Sequence, residues 1–252
     1  MPETVIGYTP DVGSTHYLSL LDGKIGRYLA LTGVTVKGRE CLDLGIATHY
    51  VGSHNIDTLL ERFQQVIDVD KNGGIDGVLS IMADYETRFE DAKTRARKGL
   101  DKWSPTNPDG PTRLVGGVRV ALDHAFSKET VYEIVKDLET RVLDETKLEW
   151  EVATEEERET SNWAKETVAI LQSRSPISLE VTLRAMKGAE GDLAAVEKEI
   201  AQERQNSGKR YDSVPPNEAL RRSLQREYRA VEQFVVSVDD LTRILFSCSW
   251  TC

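Results

Sequence analysis

Cysteine is scarce in this chain. There are three, Cys41, Cys248 and Cys252, and they have neither metal-ligand spacing nor a paired framework, so they read as free thiols in a reducing compartment. Positive charge is also short, with 32 Lys and Arg against 42 Asp and Glu and a net charge of −10. That balance argues against direct nucleic-acid binding, which depends on basic surfaces. No apolar run approaches the length needed to span a membrane. The opening residues are not the basic, acid-poor kind of a targeting presequence. No internal repeat or low-complexity tract stands out.

Two motifs are begun and left incomplete. Asp68, Asp70, Asn72, Gly73 and Asp76 match the start of an EF-hand calcium loop, but position 12 is Leu79, where calcium needs a bidentate glutamate. The stretch is therefore expected to be a polar turn between helices. Val115-Gly-Gly-Val118 lacks the lysine and the glycine spacing of a phosphate loop and is expected to be a simple turn.

What the chain does have is helical periodicity. The pattern predicts short helices over 14–21 and 24–32, the second stopped by Gly33, and a third over 37–44 ended by Gly45. Ile46–Val51 is expected to be a short strand holding His49, and a lone histidine there is more often packed or hydrogen-bonded than a ligand. Ile56, Leu59, Leu60, Phe63, Val66 and Ile67 share one helical face. Residues 77–101 read as a solvated helix with alternating charge, and 104–111, with three prolines, as a linker.

Ser127 is expected to cap a helix through Val131, Ile134, Val135 and Leu138. Thr154 is expected to start a helix that runs to about Ser173. Glu155, Glu156, Glu157 and Glu159 suit its dipole rather than a metal. Ser175-Pro176 opens a helix with Leu179, Leu183 and Met186 in its buried stripe. A loop over 203–217 and a last helix from about Asn217 to Phe234 complete the reading.

The first thirteen residues hold two carboxylates, Glu3 and Asp11, among Pro2, Gly7, Pro10 and Gly13. Acids in an apolar, turn-rich setting are either helix caps or groups with working protonation chemistry. On the residues alone capping is the commoner role.

The run Met1-Pro-Glu-Thr-Val-Ile-Gly-Tyr-Thr-Pro-Asp-Val-Gly13 resembles the catalytic segment of the 3-hydroxyisobutyryl-CoA hydrolases, a branch of the crotonase (enoyl-CoA hydratase/isomerase) superfamily. The likeness continues through Asp22–Gly33, Val36–Glu40 and Gly45–Val51. It returns in Ser173-Arg-Ser-Pro-Ile-Ser-Leu-Glu-Val-Thr-Leu-Arg184 and Leu224-Gln-Arg-Glu-Tyr-Arg229. The resemblance implies that Glu3 activates water against a thioester or attacks it directly, and that Asp11 orients the 3-hydroxyacyl group. Hydratases of the superfamily carry a glutamate where Glu3 stands but usually a glycine where Asp11 stands. One departure is that Gly13 is followed by Ser14, Thr15 and His16 rather than by further glycines; His16 is given no role.

The implied fold is α/β crotonase-like, C-terminal part only, predominantly helical with little strand. Residues 1–55 would be the end of the crotonase core with the catalytic segment, 56–240 a helical C-terminal region, and 241–252 an atypical, poorly packed tail. The family's oxyanion-hole amides lie upstream of its catalytic glutamate. The chain is therefore expected to start at an internal methionine and to be nearly inactive alone, since losing one such donor costs about a hundredfold or more.

The resemblance implies an acyl-CoA substrate, no cofactor, and a mitochondrial location. The reaction implied is hydrolysis of 3-hydroxyisobutyryl-CoA in valine catabolism. The alternatives are an enoyl-CoA hydratase or isomerase, and a non-enzymatic scaffold associated with the mitochondrial ribosome.

Overall fold

The computed structural model describes residues 2–69, 75–85, 110–142, 153–207, and 222, 224 and 225. Residues 70–74 of the calcium-like loop, 86–109, 143–152, most of the C-terminal loop and last helix, and the tail lie outside those residues. The chain divides into two compact units. One comprises residues up to Thr35 and from Leu114 onward; the other is Val36–Arg113.

The first unit is built around one buried helix. A 3-10 turn, Glu3–Ile6, leads to α1 (Ser14–Ser19) and α2 (Ile25–Thr32). After Leu114 come α6 (Gly116–Phe126), α7 (Val131–Glu139), α8 (Glu155–Gln172) and α9 (Pro176–Ser207). Every residue of α2 is buried, as expected of a helix enclosed on all sides. It is surrounded by α1, α6, α8 and α9. Tyr28 makes an edge contact with Phe126 at 5.4 Å and lies 5.8 Å from Trp163, so three aromatic rings from three helices meet at the centre.

Arg27 brings a positive charge into that core and is only 6% exposed. Its guanidinium makes two 2.7 Å bonds to the Glu190 carboxylate on α9, and its Nη1 donates to the Phe126 carbonyl at 3.0 Å. Lys24 Nζ adds a further bond to Glu190 at 2.9 Å. A buried guanidinium needs such a fork of acceptors. Burial alone would push the Glu190 carboxyl up, but the bonds and charges of Arg27 and Lys24 outweigh it and hold it below its ordinary value.

The helix ends follow their sequence chemistry. Thr130 with Glu133, and Thr154 with Glu157, each form a complete capping box. Gly33 takes the left-handed conformation that stops α2. Three expectations need correction besides the loop at 203–217, whose first residues instead continue α9 to Ser207. Ser127 is not the cap of the helix through Ile134; it sits at the C-terminal end of α6, and Thr130 takes the capping role. Val115–Val118 is not a simple turn but the entry to α6, which buries Val118, Ala121, Leu122, Ala125 and Phe126 at helical spacing. The two glycines there answer a close approach: Gly116 has φ +55, and a Cβ on Gly117 would lie 2.9 Å from Thr160 Oγ1.

The second unit holds α3 (Arg39–Asp43), α4 (Ile56–Val69) and α5 (Ile75–Tyr85). Helix α4 packs along α5, and Leu59 and Ile81 are buried. The third correction falls in this unit. Ile46–Val51 is not a strand, and no strand occurs among the described residues. The amides of Ile46 and Ala47 both donate to the Cys41 carbonyl, so the chain closes off α3 instead of entering a ladder. His49 Nδ1 lies 2.9 Å from Thr48 Oγ1.

Candidate functional site

Residues 2–13 form one segment clamped between α2 and α9. Thr4 is completely buried, and its hydroxyl donates to the Leu31 carbonyl at 3.1 Å. Arg174 donates to the next carbonyl, Thr32, at 3.0 Å. Together they satisfy acceptors that the end of α2 would otherwise leave bare. From α9, the Ser178 hydroxyl donates to the Tyr8 carbonyl, and Thr182 Oγ1 lies 3.4 Å from Thr9 Oγ1. Gly7, at φ +76, turns the chain so that the Tyr8 amide returns to the Glu3 carbonyl at 2.8 Å.

Glu3 heads the 3-10 turn and is half-buried. Its Oε2 is closed off from solvent and carries no hydrogen-bond partner among the described residues. A carboxylate oxygen in that state is costly to keep for structure alone. Asp11, also half-buried, stands one residue before a strained turn. The Ser14 amide donates to the Asp11 carbonyl at 3.0 Å, and the Ser14 hydroxyl donates to the same oxygen. Between them Val12 has φ +50 and Gly13 φ +85 with ψ 7, the geometry of a type I′ turn. No side-chain hydrogen bond caps either the 3-10 turn or α1.

The structure thus places both predicted residues on one pinned segment, Glu3 at its first turn and Asp11 at its second. Sequence reasoning missed the groups that pin it. Ser178 and Thr182 are polar residues at i and i+4 beside the apolar Leu179 and Leu183 of α9, and that placement was the available signal. His16 Nδ1, on α1, is likewise closed off from solvent and unpartnered among the described residues. Near the clamp, Val5, Ile6 and Val12 are 51%, 74% and 88% exposed. A separate groove of about 530 Å³ in the second unit is lined by Glu61, Arg62, Asp84 and Tyr85 with Thr58 and Gln65. Its lining mixes two acids with one base.

The sequence profile of the enoyl-CoA hydratase/isomerase family matches residues 1–243. The chain belongs to that family, and its fold is crotonase-like. The solved structure of a carnitinyl-CoA dehydratase from Mycobacterium thermoresistibile shares the fold, with a TM-score of 0.53 over 94% of this chain and 52% of that one at 22% identity.

Among curated proteins, the chain is 32% identical to the small ribosomal subunit protein mS47 of Neurospora crassa, over 74% of its own length and 32% of that protein's. It is 30% identical to the mitochondrial 3-hydroxyisobutyryl-CoA hydrolase of Homo sapiens, over 78% and 41% respectively. The mitochondrial 3-hydroxyisobutyryl-CoA hydrolase-like protein 1 of Arabidopsis thaliana is 29% identical over 80% and 41%. The chain therefore spans well under half the length of these relatives.

Proposed function

We propose that this chain carries the acid–base half of an acyl-CoA thioester hydrolase acting on 3-hydroxyisobutyryl-CoA in valine catabolism. Glu3 is its working carboxylate and Asp11 orients the 3-hydroxyacyl group. The observation that carries this reading is the Glu3 Oε2, shut away from solvent without a partner among the described residues, on a segment held by two helices. In the base route, Glu3 takes a proton from water while the water oxygen bonds to the thioester carbon. The carbon–sulfur bond then breaks and the CoA sulfur takes up the proton, giving acid and thiol. General-base catalysis of this kind contributes about a hundred- to ten-thousandfold. The names of the hydrolase relatives support the substrate and a mitochondrial location.

Two other readings are kept. A hydratase or isomerase is the reading that Asp11 argues against. A non-enzymatic role with the mitochondrial ribosome is favoured by the similarity to mS47. The test is kinetic, on the protein expressed from its full transcript. Cleavage of 3-hydroxyisobutyryl-CoA should outrun hydration of crotonyl-CoA, and Asp11→Asn should raise KM and lower kcat by about tenfold or more. Faster hydration than cleavage would favour the hydratase reading. No turnover of either thioester, with the protein co-migrating with the small ribosomal subunit, would favour the scaffold.

A further inference from the structure

Val12 is held in a conformation that its residue type resists. A type I′ turn needs positive φ at both central positions, which Asn, Asp or Gly supply at the first with little strain. A β-branched side chain there is a true outlier. Val12 is the one non-glycine residue at positive φ among those described.

Packing does not offset that strain, because Val12 is 88% exposed. Nor can the turn relax freely. The Ser14 amide and hydroxyl fix it on one side, and the Thr9–Thr182 and Tyr8–Ser178 contacts hold the chain that leads into it. An isopropyl group that is strained, fixed and uncovered serves neither backbone preference nor the core. Outliers of this kind cluster at ligand clamps. Its neighbour in the chain is the carboxylate proposed to orient the acyl group.

We infer that Val12 is a specificity-determining contact, its isopropyl group meeting the apolar methyl branch of the acyl chain bound beside Asp11. The inference rests on the acyl-CoA reading above. If turn geometry alone mattered, glycine would provide it at lower cost, so the side chain itself is the feature to test.

The experiment compares Val12→Gly and Val12→Ala with the parent, all in a Glu3→Gln background that suppresses turnover, on the protein expressed from its full transcript. Calorimetry reads the Kd for 3-hydroxyisobutyryl-CoA and for 3-hydroxypropionyl-CoA, which lacks the branch. Thermal melting is recorded alongside. Val12→Gly should raise Tm by a few degrees while weakening the branched thioester about tenfold, the size expected for losing a small apolar contact. The unbranched thioester should change by no more than about twofold. Val12→Ala, which keeps part of the strain and loses the branch contact, should lose the discrimination with a smaller rise in Tm. Unchanged preference for the branched thioester in both variants would overturn the inference and leave the acyl-CoA reading standing. A parent that binds neither thioester would overturn both.

Discussion

Arg27 and Glu190 show how single residues set the cost of this fold. The guanidinium sits inside a fully buried helix and is satisfied by one carboxylate and one carbonyl. Glu190→Gln keeps the shape but leaves that cation poorly matched, and should destabilise the protein by about 2–4 kcal/mol at neutral pH, read by denaturant melts. The pH dependence has a fixed sign. The folded carboxyl lies below its ordinary value, so its contribution is complete above the unfolded pKa of about 4.3 and is lost as pH falls through the folded one. Stability of the natural protein should fall on acidification below about pH 4.5, and Glu190→Gln should flatten that slope. Legibility was uneven at this scale. Glu3 and Asp11 stood out as acids among turn residues, whereas nothing in Ser178 or Thr182 taken singly marks a clamp. The Val12 strain was invisible because residue preferences point away from a valine at positive φ.

Among the elements, close approach decides more than propensity does. A Cβ on Gly26 would lie 2.0 Å from the Leu18 carbonyl oxygen, so α1 and α2 touch backbone to backbone. Gly26→Ala should therefore cost about 1–3 kcal/mol despite alanine's better helix propensity, and a lower midpoint in urea would register it. Thr154→Ala, which breaks a complete capping box, should cost about 1 kcal/mol by the same measurement. The ends of α2 and α8 were readable because Gly33 and the Thr154–Glu157 spacing carry local chemistry. Helix α6 was not read, although Val118, Ala121, Leu122, Ala125 and Phe126 keep helical spacing. Its opening Gly116-Gly117 resembles a turn, and the reason for glycine there is a tertiary contact, since a Cβ on Gly117 would lie 2.9 Å from Thr160 Oγ1 on α8. The expected strand at Ile46–Val51 failed for a related reason. A strand needs a partner, and the first two amides of that stretch are taken by Cys41.

For the whole molecule, membership of the enoyl-CoA hydratase/isomerase family was legible from the opening motif and the order of its later blocks. The division into two units was not, because one unit joins residues up to Thr35 with those from Leu114 onward, a closure over long sequence separation that no local pattern reports. At this scale the proposed chemistry stands on one carboxylate, that of Glu3. The measurement that tests it most directly is single-turnover release of CoA thiol from 3-hydroxyisobutyryl-CoA by the protein expressed from its full transcript, compared with its Glu3→Gln variant. The variant should still bind the thioester and melt within a degree or two of the parent, while thiol release slows at least about a hundredfold. Undiminished release by Glu3→Gln would contradict it, because the chemistry would then belong to another group.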